Sequence, residues 1–507
     1  MLTIANLGLS AMVVLPLVTG VAAFFVGGRA PRRTGRIGAL ISGLGFVLAA
    51  AFAVKAGASE VIAVTGPVDL AVDRLAAVLL LLVFGVSAIV QSYAVRYLAG
   101  DPRASWFSGG AGLLTAASAG LMTAQTLVGM AVFWTMAGAA LCLLLGTYWH
   151  IPAARDGVRR TVTAFVVGDL ALWVAVVLAT ATWGRIELRD VESGRFGGPV
   201  LAVVAILIVI AALSRSAQIP FHRWLPATLA APTPVSALLH AGVVNAGGIL
   251  LIRLAPLTAD DAARALTILA GAATMVYGAV IMLVKPDVKG ALVNSTTAQM
   301  GFMILTCGLG LWAAAVIHLV AHGFYKSTLF LSSGSAVAAR RRAEFQPPAG
   351  PVGRTQTVVN AIASVLLPAA AMAAALLLVP STGTHAAEHA LLIFAFVTGA
   401  AATWGWLKRR PGVTGALLAG TVLMPTAIAY VAVISGVSAY LEPAIPAATL
   451  PVLAVWLIAA AALIGLGVLG AIRSAPAAAR LQHLLYTNAL SAGTIPVPSA
   501  QLTGARS

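Results

Sequence analysis

A chain of 507 residues that is 60% hydrophobic and only 9% charged, with a mean hydropathy of +0.98, excludes a soluble globular domain, where about 25% charged residues is usual. Its formal net charge of +16 does not point to nucleic acid, because the basic residues fall in short loops between apolar runs, where membrane topology accounts for them. Cys142 and Cys307 both lie inside apolar runs and have no CxxC or Cys/His spacing, so neither a disulfide nor a metal site is indicated.

Apolar runs of about 20 residues recur from end to end, each long enough to cross the roughly 30 Å of bilayer hydrocarbon as a helix. They predict an all-α integral membrane fold of about 14–15 transmembrane helices. The spans fall near 4–28, 38–56, 73–95, 107–124, 126–147, 161–183, 199–229, 233–254, 264–284, 289–309, 312–338, 357–379, 386–407, 411–437 and 447–472. The first run lacks a basic segment before it and exceeds a signal-peptide core, so a retained span is expected.

Loop charge alternates along the chain. Arg29, Arg32, Arg33 and Arg36, then Arg155, Arg159 and Arg160, then Arg340, Arg341 and Arg342, then Lys408, Arg409 and Arg410 mark one side. Glu60 and Asp69, then Glu187, Asp190 and Glu192, then Asp260 and Asp261, then Glu388, then Glu442 mark the other. The positive-inside rule then expects a multi-pass inner or plasma membrane protein with its N-terminus outside and its C-terminus cytoplasmic.

The seventh span departs from a plain helix, since Pro220, Pro226, Pro232 and Pro234 each lack an amide hydrogen and disfavour helix at the preceding residue. Either the span ends there in a surface or re-entrant segment, or the break lies at membrane depth, where such discontinuities mark transport sites.

Lysine is scarce, five against twenty-six arginines, which makes its placement informative. Lys285, Lys289 and Lys326 share a short window, and His318, His322 and Lys326 follow one another at i+4 steps in "HLVAHGFYKSTLFLSSGS", forming one stripe on the eleventh span. Lys285 and Lys289 repeat the step at the start of the tenth, followed by Ser295, Thr296, Thr297 and Gln299. A charge at the bilayer centre costs about 2.5–3.5 kcal/mol, so such residues face a bundle interior or a hydrated path. Histidine and desolvated lysine titrate near neutrality and suit proton relay, whereas Lys285, beside a loop, fits snorkelling to the interface.

Asp169 is the one acid of fifteen that lies well inside a span, as a salt-bridge partner or a protonatable site. His240 stands alone on an apolar face, compatible with a packed core residue. Arg215, at the seventh-span break, can organise a field but cannot release its proton.

The segments "SAQIPFHRWLPATLAAPTPVSALLHAGVVNAGG", "KPDVKGALVNSTTAQMGF" and "HLVAHGFYKSTLFLSSGS" together resemble the antiporter-like proton-conducting subunits shared by respiratory complex I, Mrp cation/proton antiporters and membrane hydrogenases. The resemblance runs from about Asp73 to Ser335, and "PTPVSALLHA" places it with the subunit L or MrpA branch, similar to NADH dehydrogenase subunit 5. It implies two inverted five-helix repeats with broken helices. The organisation expected is residues 1–105 for helices one to three, 106–255 for the first repeat, 256–410 for the second, and 411–507 for the last helices and a short cytoplasmic tail.

Within that branch the chain most resembles the DabB family, membrane subunits of the DAC inorganic-carbon accumulation complex. That resemblance implies a large peripheral DabA-like partner on the cytoplasmic side. The resemblance further implies that this partner holds zinc and hydrates carbon dioxide to bicarbonate, driven by a flow of protons or, as the alternative, sodium ions. No cofactor, metal site or catalytic constellation is expected in this chain itself. The alternatives are a proton-translocating subunit of an NADH-quinone oxidoreductase, a membrane hydrogenase or an Na+/H+ antiporter, and a purely structural anchor for a peripheral enzyme.

Carried over by the resemblance, the proton path comprises Lys289, His318, His322, Lys326, His240, Asp169 and Arg215. Two positions depart from the family pattern. Thr135 in "VFWTMAG" stands where a glutamate is usual, and Arg215 where lysine is usual. These changes deprive the first half-channel of its usual pair, which leads to the expectation that Asp169 becomes the counter-ion of Arg215. Span twelve carries Pro368 as its expected break but no ionisable group there.

Overall fold

The computed structural model describes residues 4–58, 62–64, 69–188, 196–344, 353–379, 386–446, 451, 453–458, 460 and 479–493. Glu60, Asp190, Glu192 and most of the span expected at 447–472 lie outside the described residues.

The chain is helical almost throughout, as its composition requires. In lipid every backbone polar group must be satisfied internally, and a helix does so within one segment. The helices are α1 (Ile4–Phe25), α2 (Pro31–Gly57), α3 (Arg74–Tyr97), α4 (Ala104–Thr123), α5 (Leu127–Leu145), α6 (Pro152–Trp183), α7 (Pro199–Arg215), α8 (Thr233–Ala241) and α9 (Ala246–Arg253). They continue as α10 (Asp261–Val284), α11 (Val288–Gly308), α12 (Trp312–Leu331), α13 (Ser333–Glu344), α14 (Arg354–Leu378), α15 (Ala386–Arg409), α16 (Val413–Leu441) and α17 (Ala479–Gly493). Among the described residues, 11 spans are long and apolar enough to cross a membrane. A two-stranded antiparallel ribbon, β1 (Ile62–Val64) with β2 (Leu70–Val72), precedes α3.

The helices pack as two units. One comprises Met1–Leu309, His318–Ser335 and Ala479–Ser507; the other comprises Gly310–Ile317 and Ala336–Ala478. In the first, α10 and α11 pack along most of their length, because Gly271 and Gly301 bring their backbones together. A Cβ at Gly301 would collide with the Met275 amide nitrogen, so the pair makes the small-residue contact typical of membrane helices. In the second, α14, α15 and α16 pack against one another.

The seventh span breaks where the prolines predicted. α7 ends at Arg215, Ala217 takes φ 52°, and two 3-10 turns cover Phe221–Trp224 and Pro226–Ala230 before α8 begins. The freed backbone groups find partners: Gln218 N donates to Leu213 O at 2.9 Å, Ile219 N donates to Thr274 Oγ1 at 2.9 Å, and Trp224 Nε1 donates to Ser214 O at 3.0 Å. These donors at the break are therefore satisfied within the protein.

Four expectations need correction. The eighth span, read as one helix over 233–254, is interrupted at Gly242 by a 3-10 turn over Val243–Asn245. Two side chains favour that interruption: Asn245 Nδ2 donates to Ala241 O at 2.8 Å and Ser216 Oγ to Val244 O at 2.6 Å, so carbonyls of this turn take side-chain partners. Lys285 and Lys289 do not form a helical step, because Lys285 caps the end of α10 while Asp287 caps the start of α11, accepting from Gly290 N at 2.5 Å. Pro286 between them disfavours helix at Lys285. The run 312–338 ends as α12 at Leu331 and restarts as α13 at Ser333. Finally, Pro368 does not break its span: α14 runs continuously through it, since one missing donor in a long helix leaves the neighbouring turns bonded.

Candidate functional site

Arg215 closes α7 with its side chain only 1% exposed, and the residues around it are those that a buried guanidinium needs. Its Nη2 donates to Asp169 Oδ1 at 2.7 Å, and its Nη1 to Trp134 O at 3.2 Å. The guanidinium carbon lies 4.4 Å from the centroid of the Trp134 ring and 4.1 Å from that of Phe165, within cation–π range. Gly138 makes the room: a Cβ there would sit 2.8 Å from Arg215 Nη1. Asp169, on α6, also accepts from Trp134 Nε1 at 2.7 Å. The expected Asp169–Arg215 pair is thus present. Thr135 is turned to a different task, its hydroxyl accepting from Trp173 Nε1 at 3.1 Å.

The stripe on α12 is buried as its spacing predicted, with His318, His322 and Lys326 all inside the protein. The His318 and His322 rings stack with centroids 5.8 Å apart, and Phe302 packs edge-on against His318 at 5.0 Å. His318 is hydrogen-bonded at the Gln299 backbone. The Lys326 side chain reaches α11, where its Nζ donates to Ser295 Oγ and, at 3.4 Å, to Leu292 O. No carboxylate among the described residues is in ion-pair contact with it.

His240, in the last turn of α8, joins this group. Its ring stacks on Phe330 of α12, centroids 4.4 Å apart and planes 11° from parallel. Neither ring nitrogen of His240 or of His322 has a protein hydrogen-bond partner, and His322 lies within electrostatic reach of His318, Lys326 and His240. The break in α8 is what brings the ring there, because it ends α8 one residue later and turns the chain. Four basic or titratable side chains from α8 and α12, with a serine from α11, therefore share one buried region.

Lys289 stands apart from this group. Its Nζ donates to Leu229 O at 2.8 Å and Ala231 O at 2.7 Å, the carbonyl end of the 3-10 turn in the seventh-span break. A cation there meets carbonyls that have no helical partner, an arrangement that the backbone dipole favours. Lys285, expected to snorkel, instead donates to Gly493 O at 2.7 Å and so fastens the end of α17.

One ion pair escaped the sequence reading. Arg253, at the end of α9, grips both oxygens of Asp73 and donates to Met122 O at 3.2 Å, while Asp73 caps α3 by accepting from Ala76 N at 2.6 Å. Burial works against ionisation of Asp73, but the Arg253 charge and hydrogen bonds outweigh it and hold the carboxyl below its usual range. The pair is 180 residues apart in sequence, and only Asp73's position before an apolar run signals a cap.

Comparison with known proteins bears on these residues. The family model described as "NADH:quinone oxidoreductase/Mrp antiporter, TM" matches residues 124–407, and that described as "NADH-Ubiquinone oxidoreductase (complex I), chain 5 N-terminus" matches residues 62–108. A Halothiobacillus neapolitanus protein named "Probable inorganic carbon transporter subunit DabB1" is 38% identical over 288 residues, 55% of this chain and 52% of its own. "NADH-quinone oxidoreductase subunit L" of Mycobacterium tuberculosis is 37% identical over 276 residues, 53% of this chain and 44% of its own. The chain thus spans about half the length of the curated relatives it matches. Among solved structures, the Mrp complex from Dietzia sp. DQ12-45-1b contains a chain with TM-score 0.59 at 23% identity, covering 98% of this chain and 64% of that one. An archaeal membrane-bound sulfane sulfur reductase contains another with TM-score 0.61 at 16% identity, covering 96% of each. At those identities the likeness concerns the fold.

Proposed function

Because this chain belongs to the NADH:quinone oxidoreductase/Mrp antiporter membrane family, we propose that it conducts protons, with sodium ions as the alternative, as the membrane subunit of an inorganic-carbon accumulation complex. The observation that carries the reading is the buried group of Lys326, His322, His318 and His240, in which the rings of His240 and His322 have no protein hydrogen-bond partner. A group of bases that loses water on burial is expensive to keep charged, so each side chain can give up a proton to its neighbour without leaving a stable ion pair behind.

The inorganic-carbon assignment is supported by the DabB1 relative, and also by Bacillus anthracis and Bacillus subtilis relatives named as probable inorganic carbon transporter subunits at 37% and 36% identity. In this reading a large zinc-bearing subunit docks on the cytoplasmic side, the N-terminus lies outside, and carbon dioxide hydration occurs in the partner. One elementary charge crossing 100 mV releases about 2.3 kcal/mol, enough to pull a near-balanced hydration strongly towards bicarbonate. The subunit L relative at 37% identity favours the second reading, a proton-translocating subunit of a quinone-linked or antiporter complex.

The two readings separate by the neighbouring genes and by one experiment. An adjacent large frame with Cys, His and Asp zinc ligands fits carbon accumulation, and a string of small hydrophobic subunits fits the other. Expression with and without the large frame, in a host that lacks carbonic anhydrase, is scored for growth in air. Growth that requires both proteins and stops with an uncoupler is the expected outcome; growth insensitive to the uncoupler refutes an ion-driven role.

A further inference from the structure

Apart from the histidine and lysine group above, α2, α3 and α4 bury a polar cluster that packing alone does not require. Gln91 of α3 donates from Nε2 to Ser42 Oγ of α2 and to Ser87 Oγ of α3, each at 2.9 Å. Ser42 and Ser87 share a hydrogen bond at 3.1 Å, and Ser87 shares another with Thr115 of α4 at 2.6 Å. All four side chains are at most 3% exposed.

Gln91 Oε1 is buried and has no protein partner. It points at Gly38, so closely that a Cβ there would collide with it. A buried amide oxygen in an apolar bundle calls for a donor, and water is the donor for which there is room. Gln91 and Ser108 line two cavities at once, one of about 220 Å³ that reaches Arg32 and Asp101, the other of about 110 Å³ that also touches Thr19 and Ser42. A water needs about 10–15 Å³ of space for its centre, so each space admits several. On the far side of the cluster, Ser87 and Thr115 line a third cavity of about 60 Å³, bounded by Arg215 and by Ala241 and Gly242, the residues that follow His240.

We propose that α2, α3 and α4 form a hydrated entry, which carries protons from the Arg32 and Asp101 end through Ser42, Ser87 and Thr115, held in place by Gln91, to the cavity between Arg215 and Ala241. The proposal rests on the proton-conducting reading above. Asp101 supplies a carboxylate at the mouth, accepting from Tyr148 Oη at 2.5 Å and from Arg103 N at 2.7 Å. Along the cluster each hydroxyl or water accepts a proton on its oxygen and releases another to the next oxygen. One O–H bond forms as one breaks at every step, and no other reactant is needed. The Gln91 amide holds the waters in line and transfers none. At the inner end the Arg215 charge opposes an arriving proton, and Asp169 offsets it, so the state of that pair sets the height of the final step.

Two measurements on the full complex test this. For hydration, Ser108→Cys and Thr115→Cys are placed singly in a Cys142→Ala, Cys307→Ala background, and a charged methanethiosulfonate is applied to membrane vesicles from the Arg32 side. Labelling of both is expected, Ser108→Cys faster; failure of Thr115→Cys to label, beside a labelled loop control, overturns the entry. For conduction, a potassium diffusion potential drives proton uptake in proteoliposomes, read by a pH dye. Gln91→Leu and Thr115→Val should each slow uptake at least fivefold, and unchanged uptake in both overturns the entry. Absence of uptake by the unaltered complex with both cysteines labelled removes the conducting reading itself, and with it this use of the hydrated path.

Discussion

Replacing Asp169 by Asn deletes one charge and little else, since the Asn oxygen can still accept from Trp134 Nε1 and Arg215 Nη2 in place of Asp169 Oδ1. What remains is a guanidinium 1% exposed with no carboxylate. Unit charges about 4 Å apart attract by about 4 kcal/mol at an effective dielectric near 20. Asp169 is 18% exposed, which lowers that figure through solvent, and the Trp134 and Phe165 faces retain up to about 2 kcal/mol of cation–π attraction. The expected loss for Asp169→Asn is therefore about 2–3 kcal/mol, as leaving a buried charge unpaired is the costly half of breaking a buried pair. Arg215→Gln removes the charge that needed a partner, so the double variant Asp169→Asn, Arg215→Gln should fall no further than Asp169→Asn alone. The assay is a double-mutant cycle on unfolding in detergent, followed by near-ultraviolet circular dichroism, with a coupling energy of about 2 kcal/mol expected. Losses that add to within about 0.5 kcal/mol would refute the pairing as an energetic unit, whatever its distance.

Two further outcomes follow from the same geometry. Lys326→Met keeps the length of a chain that is 1% exposed but removes the ammonium, so proton uptake should fall at least tenfold while thermal stability holds or rises, because a buried charge without a carboxylate partner is costly to keep. Uptake within twofold of the unaltered protein would sink the relay. Asp73→Asn should cost about 1–3 kcal/mol, read as a lower melting temperature, by leaving Arg253 without its carboxylate. The sign with pH is fixed by the direction of the shift: a carboxyl held below its usual range stabilises the fold above about pH 4, and that contribution disappears as pH falls through the lowered value. Asp73→Asn should therefore flatten the acid limb of the stability curve; an unchanged limb would rule out this pair as its source.

The fold was legible wherever the signal is local. Length of apolar run decides that a segment is a spanning helix, and the four prolines of 220–234 mark a break because a missing amide acts on its own turn. Proline at 368 gave the wrong answer by the same rule, since whether a proline breaks or merely sits in a helix depends on how the neighbouring turns are held. The interruption at Gly242 was not legible, because Ser216, on another segment, supplies one of its hydrogen bonds.

Sequence by itself determined that this protein is a bundle of membrane helices, and that His318, His322 and Lys326 share a face, because i+4 spacing is a property of one helix. The family resemblance, with its usual glutamate replaced by Thr135 and lysine by Arg215, led to Asp169 as the partner of Arg215. Tertiary structure decided what each cation meets: Lys289 the carbonyls of Leu229 and Ala231, Lys285 the carbonyl of Gly493, and His240 the ring of Phe330. Those partners come from segments far apart in the chain, and it is packing that sets their distances. A buried charge is stabilised or isolated by what lies within about 4 Å of it, which no spacing along a single helix records.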